Sequence, residues 1–284
     1  MNKKESANIY VIISVALGYI MSAVVPIIYN GSRLTAMDVN VLNIINNAVI
    51  TLIPMAIFAF CNKSEFKSLF VKAPIKLSAK YLVLLPFIWM MSTYLNASVN
   101  NLLGKWGIDP ITQLPPTEET AVIAVGFILT CIVAPLFEEL FYRGVILSLL
   151  KGYGKGAAII VSAFLFAIGH NSITIFVSPF VIGLFLGYVT IKCGSIYPAV
   201  LIHFIFNLIS WILINGQLGQ TANIVLSILV VTVGASASVY YTLKLLKHKE
   251  KITIVSLQLW QYAKNFLWLP ILINYIYTNI INHG

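Results

Sequence analysis

The chain has 284 residues, of which 59% are hydrophobic and only 10% are charged. Soluble domains carry about 25% charged residues, so this composition excludes an ordinary soluble domain and indicates an integral membrane protein. The net charge of +9 reflects 18 Lys and Arg against 9 Asp and Glu. Cytoplasmic loops beside anionic lipid account for such an excess, and we therefore expect no nucleic-acid partner. Three scattered cysteines predict neither a disulfide framework nor a cysteine metal site.

Eight apolar runs have the composition of membrane-crossing helices. They lie at residues 9–29, 39–60, 81–103, 120–150, 157–170, 173–191, 196–214 and 222–243. The fourth run is too long for a straight span, so we expect part of it to tilt, to kink at Pro135 or to protrude. The predicted fold class is all-α, a polytopic helical bundle with about eight transmembrane helices.

The lysines predict the orientation of this bundle in the cell membrane. Lysine-rich segments precede the first run, separate the second from the third, and follow the fourth, sixth and eighth runs. The alternate connections contain only Arg33 and Lys105 as basic residues. By the positive-inside rule, the N-terminus and the basic loops are predicted to be cytoplasmic.

The runs divide the chain into four segments. Residues 1–119 contain the first three predicted transmembrane helices, and residues 120–215 contain the polar residues described below. Residues 216–251 hold the last transmembrane helix and a basic stretch. Residues 252–284 are apolar and rich in Trp and Tyr, which suits either an interfacial helix or a ninth hydrophobic segment.

The fourth run carries charges in an otherwise apolar setting, at Glu138, Glu139 and Arg143. A charge at membrane depth is costly, so such residues are expected to be functional or to be paired. Glu139 and Arg143 are four residues apart and can pair on one helix face. Glu138 lies about 100° round the helix from Glu139 and faces another way. We therefore predict that Glu139 and Arg143 support the structure, whereas Glu138 is available for chemistry.

Three more polar residues fall in later runs, namely His170, His203 and Asn207. At 1.5 Å per residue, Glu138 and these three lie at overlapping depths, roughly 10 to 20 Å from the cytoplasmic ends of their helices. We predict that all four line one pocket. A glutamate general base and a histidine could together direct water at a carbonyl group. An imidazole and an amide on one helix face could donate to the oxygen on which negative charge develops.

The same residues also admit a metal-dependent interpretation. A glutamate and two histidines, here Glu138, His170 and His203, are ligands that zinc accepts together with a water molecule. Their spacing is not H-E-x-x-H, so the three ligands would come from three separate helices. We favour the metal-free glutamate–water mechanism, which requires no cofactor, and keep zinc as the alternative.

Three motifs stand in order within residues 120–215: Glu138-Glu139-x-x-x-Arg143, Phe166-x-x-x-His170 and His203-x-x-x-Asn207. This series resembles the motifs of the CAAX-protease and bacteriocin-processing family of intramembrane endopeptidases, also called the Abi family. The resemblance implies a helical membrane fold with eight spans. It also implies hydrolysis of a peptide bond in a membrane-associated protein or peptide, of the CAAX type or of the bacteriocin and pheromone type.

The resemblance assigns roles to individual side chains. It implies that Glu138 and His170 activate the water, and that His203 and Asn207 form the oxyanion site. Two other functions remain open. A non-catalytic immunity or scaffold protein of the same fold would tolerate Glu138→Gln. A transporter would use Glu138 and the histidines as a proton relay, although the chain lacks the matched inverted halves that many transporters show.

Overall fold

The computed structural model describes residues 35–73, 75–108, 120–170, 172–215 and 220–248, and also residues 9–14, 16–18, 20, 21 and 24. This part of the chain is helical and contains no strand, which confirms the predicted all-α class. Residues 252–284 lie outside the described residues. The choice between an interfacial helix and a ninth hydrophobic segment therefore stays a prediction.

Nine helices follow one another in the described residues, and we number them in chain order. They are α1 Ile9–Gly18, α2 Ala36–Cys61, α3 Lys63–Ser68, α4 Ile75–Gly104, α5 Thr120–Leu150, α6 Lys155–Ile168, α7 Val177–Cys193, α8 Tyr197–Asn215 and α9 Gln220–His248. Each of the eight predicted apolar runs overlaps one of them in the described residues. The short helix α3 is the addition, and it lies in the lysine-rich segment between the second and third runs.

Three stretches of these helices are long and apolar enough to cross a membrane by length and composition, namely Met37–Cys61, Ser78–Gly104 and Thr120–Leu150. Large apolar side chains are also exposed along α9, including Ile224, Ile228 and Val233. Exposed apolar surface of this kind requires lipid or a protein partner to cover it. The total of eight crossings and the cytoplasmic N-terminus remain predictions.

Helix α5 is continuous over 31 residues, but its hydrogen bonding is irregular. Two π-helical segments, Ile128–Val133 and Glu139–Leu147, flank a short α-helical segment, Ala134–Glu138, that contains Pro135. Proline cannot donate a backbone hydrogen bond, and local π-helical turns are one way in which a helix continues through such a position. Turns of this kind are frequent at functional sites. The expected disturbance at Pro135 therefore takes the form of altered hydrogen bonding on either side of the proline.

Helices α6 and α7 pack closely through small residues. A Cβ atom added to Gly183 of α7 would lie 3.1 Å from Cα of Ala163 in α6. One turn later, a Cβ on Gly187 would lie 3.3 Å from Cγ2 of Ile159. Small residues spaced four apart allow membrane helices to approach this closely. This contact fixes α6, and with it the turn that carries His170, against α7.

Helix α4 holds the segment that joins α6 to α7. The Asn96 side chain donates from Nδ2 to the Thr174 carbonyl at 2.9 Å, and the Ser178 backbone N–H donates to Asn96 Oδ1 at 3.3 Å. One side chain thus satisfies a backbone acceptor and a backbone donor on the same segment. Because unpaired backbone groups are costly in a membrane protein, Asn96 stabilises the conformation that follows His170.

Candidate active site

The two charged residues on one face of α5 form a buried ion pair. Arg143 donates from Nη1 to Glu139 Oε1 at 2.8 Å, and both side chains are fully buried. Arg143 also donates from Nη2 to the Gly183 carbonyl of α7 at 3.1 Å. The guanidinium carbon lies 4.5 Å from the centre of the Phe166 ring of α6. The pair therefore connects α5 to α6 and α7, and the two charges face each other, while Glu139 Oε2 and Arg143 Nε have no hydrogen-bond partner among the described residues.

His203 of α8 joins the same pair. Its Nδ1 lies 2.9 Å from Glu139 Oε1, the oxygen that accepts from Arg143. A carboxylate can only accept, so His203 carries a proton on Nδ1 and donates it to Glu139. The other ring nitrogen, Nε2, lies 3.8 Å from Glu138 Oε2. The two adjacent acids thus face the two nitrogens of one imidazole ring.

Glu138 differs from Glu139 in its accessibility. About a sixth of its side chain is exposed (16%), whereas the Glu139 side chain is fully buried. The 3.8 Å between Glu138 Oε2 and His203 Nε2 is longer than a direct hydrogen bond. The structure therefore separates a closed, paired acid from an adjacent acid that remains reachable from outside the cluster.

Asn207 lies one turn beyond His203 on α8 and contacts an earlier part of α5. Its Nδ2 donates to the Thr130 carbonyl at 2.8 Å. Since His203 contacts residues 138 and 139 while Asn207 contacts residue 130, α8 runs antiparallel to α5 along this line. One amide hydrogen of Asn207 is used in this bond, and the amide has a second hydrogen to donate.

His170 follows the last turn of α6 and reaches the cluster through Phe166. Its Nδ1 is bonded to the Phe166 carbonyl at 2.9 Å. The Phe166 ring lies edge-on to both imidazoles, with centroids 4.9 Å from the His170 ring and 5.6 Å from the His203 ring. Within the described residues, no hydrogen bond or ion pair joins His170 to Glu138. Phe166 therefore stands between the two histidines.

A zinc site was the alternative expectation for Glu138, His170 and His203. Glu138 and His203 approach each other, but His170 does not complete a set with them. In the described part of the chain, no group of three or more His, Cys, Asp or Glu side chains could hold a metal ion. The side chains as they lie here do not fit a three-ligand zinc site.

Three contacts of the site were not found from the sequence. The carbonyls of Thr130 and Gly183 are acceptors that any residue could supply, so sequence offers no signal for them. The third is Tyr142, whose hydroxyl lies 2.3 Å from the position that a Cβ on Gly169 would take. Two features of the sequence could have pointed to Tyr142. It lies four residues after Glu138, and a glycine directly precedes His170.

Fold and site together define a class: a helical membrane protein in which an acid pair bonds to a histidine within apolar helices, with a second histidine behind Phe166 and an asparagine one helical turn away. The family model described as type II CAAX prenyl endopeptidase Rce1-like matches residues 120–209. The matched segment runs from α5 into α8 and includes every motif position, so the resemblance to the CAAX-protease family is confirmed there. The match supports a CAAX-type intramembrane endopeptidase in general. No curated protein and no solved structure matches the chain.

Proposed function

We propose that the protein is an intramembrane endopeptidase that cleaves a peptide bond of a membrane-associated protein or peptide with a water molecule activated at Glu138. The observation that carries this proposal is that the two adjacent acids differ in burial and in hydrogen bonding. Glu139 is buried and occupied by Arg143 and His203, whereas Glu138 is partly exposed beside His203 Nε2. A general base must be reachable by its substrate water, and of the two acids Glu138 meets that condition.

The first step requires a base and a group that orients the water. Glu138 would accept a proton from water while the oxygen attacks the substrate carbonyl carbon. His170 is suited to orient that water, because its Nδ1 donates to the Phe166 carbonyl and the neutral ring then presents Nε2 as an acceptor. The proton held by Glu138 would pass to the leaving amine as the carbon–nitrogen bond breaks. The hydroxyl of the water thus ends on the new carboxyl terminus, and its proton ends on the new amino terminus.

The second requirement is stabilisation of the oxyanion. Asn207 can contribute the amide hydrogen that Thr130 does not use. His203 can contribute from Nε2 only as the imidazolium, because its Nδ1 proton is already donated to Glu139. Loss of one oxyanion donor typically lowers kcat by about 10²- to 10³-fold. In this proposal Glu139 and Arg143 orient His203 and do not touch the substrate.

The test compares peptide termini from cells that express different variants at matched levels in the native host. Glu138→Gln preserves the size of the side chain and removes the base, so we expect a loss of about 10²- to 10⁴-fold in rate. Glu65→Gln in α3 makes the same chemical change outside the site and serves as the control. Mass spectrometry of membrane and medium should reveal termini that vanish with Glu138→Gln and persist with Glu65→Gln.

Two further outcomes are informative. Identical termini in all three strains, together with a phenotype that survives Glu138→Gln, would overturn the proposal and favour an immunity or scaffold protein. Removal of divalent metal from the purified protein should leave cleavage intact. Loss of cleavage with recovery on addition of zinc would instead support a metal-dependent enzyme, with His170 brought to Glu138 and His203 in the active state.

A further inference from the structure

Pro135 explains why the Thr130 carbonyl is bonded to a side chain. In the π-helical segment Ile128–Val133 the carbonyl of residue i accepts from the N–H of residue i+5, and the Ala134 N–H accordingly donates to the Leu129 carbonyl. The next bond in this series would join residue 135 to Thr130. Residue 135 is proline and has no N–H. The Thr130 carbonyl accepts instead from Asn207 Nδ2 at 2.8 Å.

This bond has a consequence for both partners. Thr130 is exposed on the surface of α5, within a stretch apolar enough to cross the membrane, where hydrocarbon supplies no donor. An unpaired carbonyl there is costly, so the bond from Asn207 is strongly favoured. A carbonyl can only accept a hydrogen bond, so this bond fixes the amide of Asn207 with its nitrogen toward α5. The second amide hydrogen is thereby held on the same side of the side chain.

We propose that Pro135 is a positioning residue that acts through Asn207, an inference that rests on the proposed endopeptidase function. Its missing N–H keeps the Thr130 carbonyl available to orient the Asn207 amide for the oxyanion. An ordinary residue at position 135 would supply the absent backbone donor and compete with Asn207 for the carbonyl. The proline would then serve the reaction because it offers no N–H to the Thr130 carbonyl.

The first experiment needs no substrate. Thermal unfolding is measured for the purified wild type, Pro135→Ala, Asn207→Ala and the double variant. In the wild-type background Asn207→Ala should lower the Tm, because it leaves the Thr130 carbonyl without a donor. In the Pro135→Ala background the new N–H supplies that donor, so the same change should lower the Tm much less. Equal shifts in the two backgrounds would overturn the competition between residue 135 and Asn207.

The second experiment measures the role in the reaction. The probe is a peptide that spans the cleavage site identified by its Glu138-dependent terminus, presented to the purified protein in liposomes. We expect Pro135→Ala to lower kcat about 10-fold with little change in KM, and Asn207→Ala to lower kcat about 100-fold, within the range for an oxyanion donor. The double variant should be no slower than Asn207→Ala, because the proline acts through that amide.

Pro86→Ala in α4 is the matched control, since it restores an N–H to another helix, one that no described hydrogen bond joins to Asn207, and its kcat should equal that of the wild type. A wild-type kcat for Pro135→Ala, or losses that multiply in the double variant, would overturn the positioning role and leave the endopeptidase intact. Failure of the endopeptidase itself would be recognised separately, by termini that do not depend on Glu138.

Discussion

Helices approach each other closely in several regions of this protein, and two of these regions are held together by different chemistry. In the cluster around Arg143, the contacts between α5, α7 and α8 run through a guanidinium, a carboxylate and an imidazole. Where α4 meets α9, a Cβ added to Gly234 would lie 2.5 Å from the Phe87 backbone nitrogen and 2.8 Å from its Cα. The first region depends on paired charges, and the second depends on the absence of a side chain.

This contrast indicates which of the two regions serves chemistry and which serves packing. Buried charge pairs are an inefficient source of stability, because desolvation offsets most of their attraction. A glycine contact between helices achieves close packing without that cost. A charged cluster inside apolar helices is therefore better explained by the need to orient His203 than by stability alone. Changes in the two regions should accordingly have different effects.

The largest effect on stability is expected from breaking the buried pair. Arg143→Met leaves the Glu139 carboxylate buried without its cation and should lower the free energy of unfolding by about 3–5 kcal/mol. Unfolding in detergent micelles measures this, with Lys155→Met at the exposed start of α6 as the control. Combining Arg143→Met with Glu139→Gln should restore part of the loss, because the uncompensated charge is removed. Wild-type stability of Arg143→Met would contradict the importance of the pair.

A smaller loss is expected at the contact between α4 and α9. Gly234→Ala places a methyl group against the backbone of Phe87, so one helix must move, at a cost of about 1–3 kcal/mol. The kcat per folded molecule should stay near that of the wild type, since this contact lies outside the charged cluster. Gly104→Ala in α4 is the control, because nothing lies within 4 Å of its added Cβ. A variant that keeps its stability but loses kcat would show that the two regions are coupled.

The smallest effect is expected at the turn that precedes His170. Gly169→Ala would bring its methyl group to 2.3 Å from the Tyr142 hydroxyl and should cost about 1 kcal/mol as the turn adjusts. Tyr142→Phe removes the obstructing oxygen, so Gly169→Ala should cost much less in that background. Stability and cleavage rate are both measured, because the turn carries His170. Additive losses in the double variant would show that the hydroxyl is not the obstacle.

The helices and the pairing of Glu139 with Arg143 could be predicted from the sequence alone. Apolar runs predict helices from composition alone, and each of the eight runs overlaps a helix in the described residues. The four-residue spacing between Glu139 and Arg143 is a local property of one helix, so their pairing followed without knowledge of any other element. The same spacing placed His203 and Asn207 together on one face of α8. Hydropathy and helical periodicity act within a segment, which is why sequence reveals them.

The contacts between these residues on different helices could not be predicted without the packed fold. The bond from His203 Nδ1 to Glu139, with Glu138 beside Nε2 at a longer distance, depends on the register between α5 and α8. The position of His170 behind Phe166 depends on how α6 packs against α7. The bond from Asn207 to Thr130 needs a carbonyl left without a backbone donor, which arises where a π-helical turn meets Pro135. Register, packing and backbone hydrogen bonding join distant segments, and for that physical reason no local pattern in the sequence contains them.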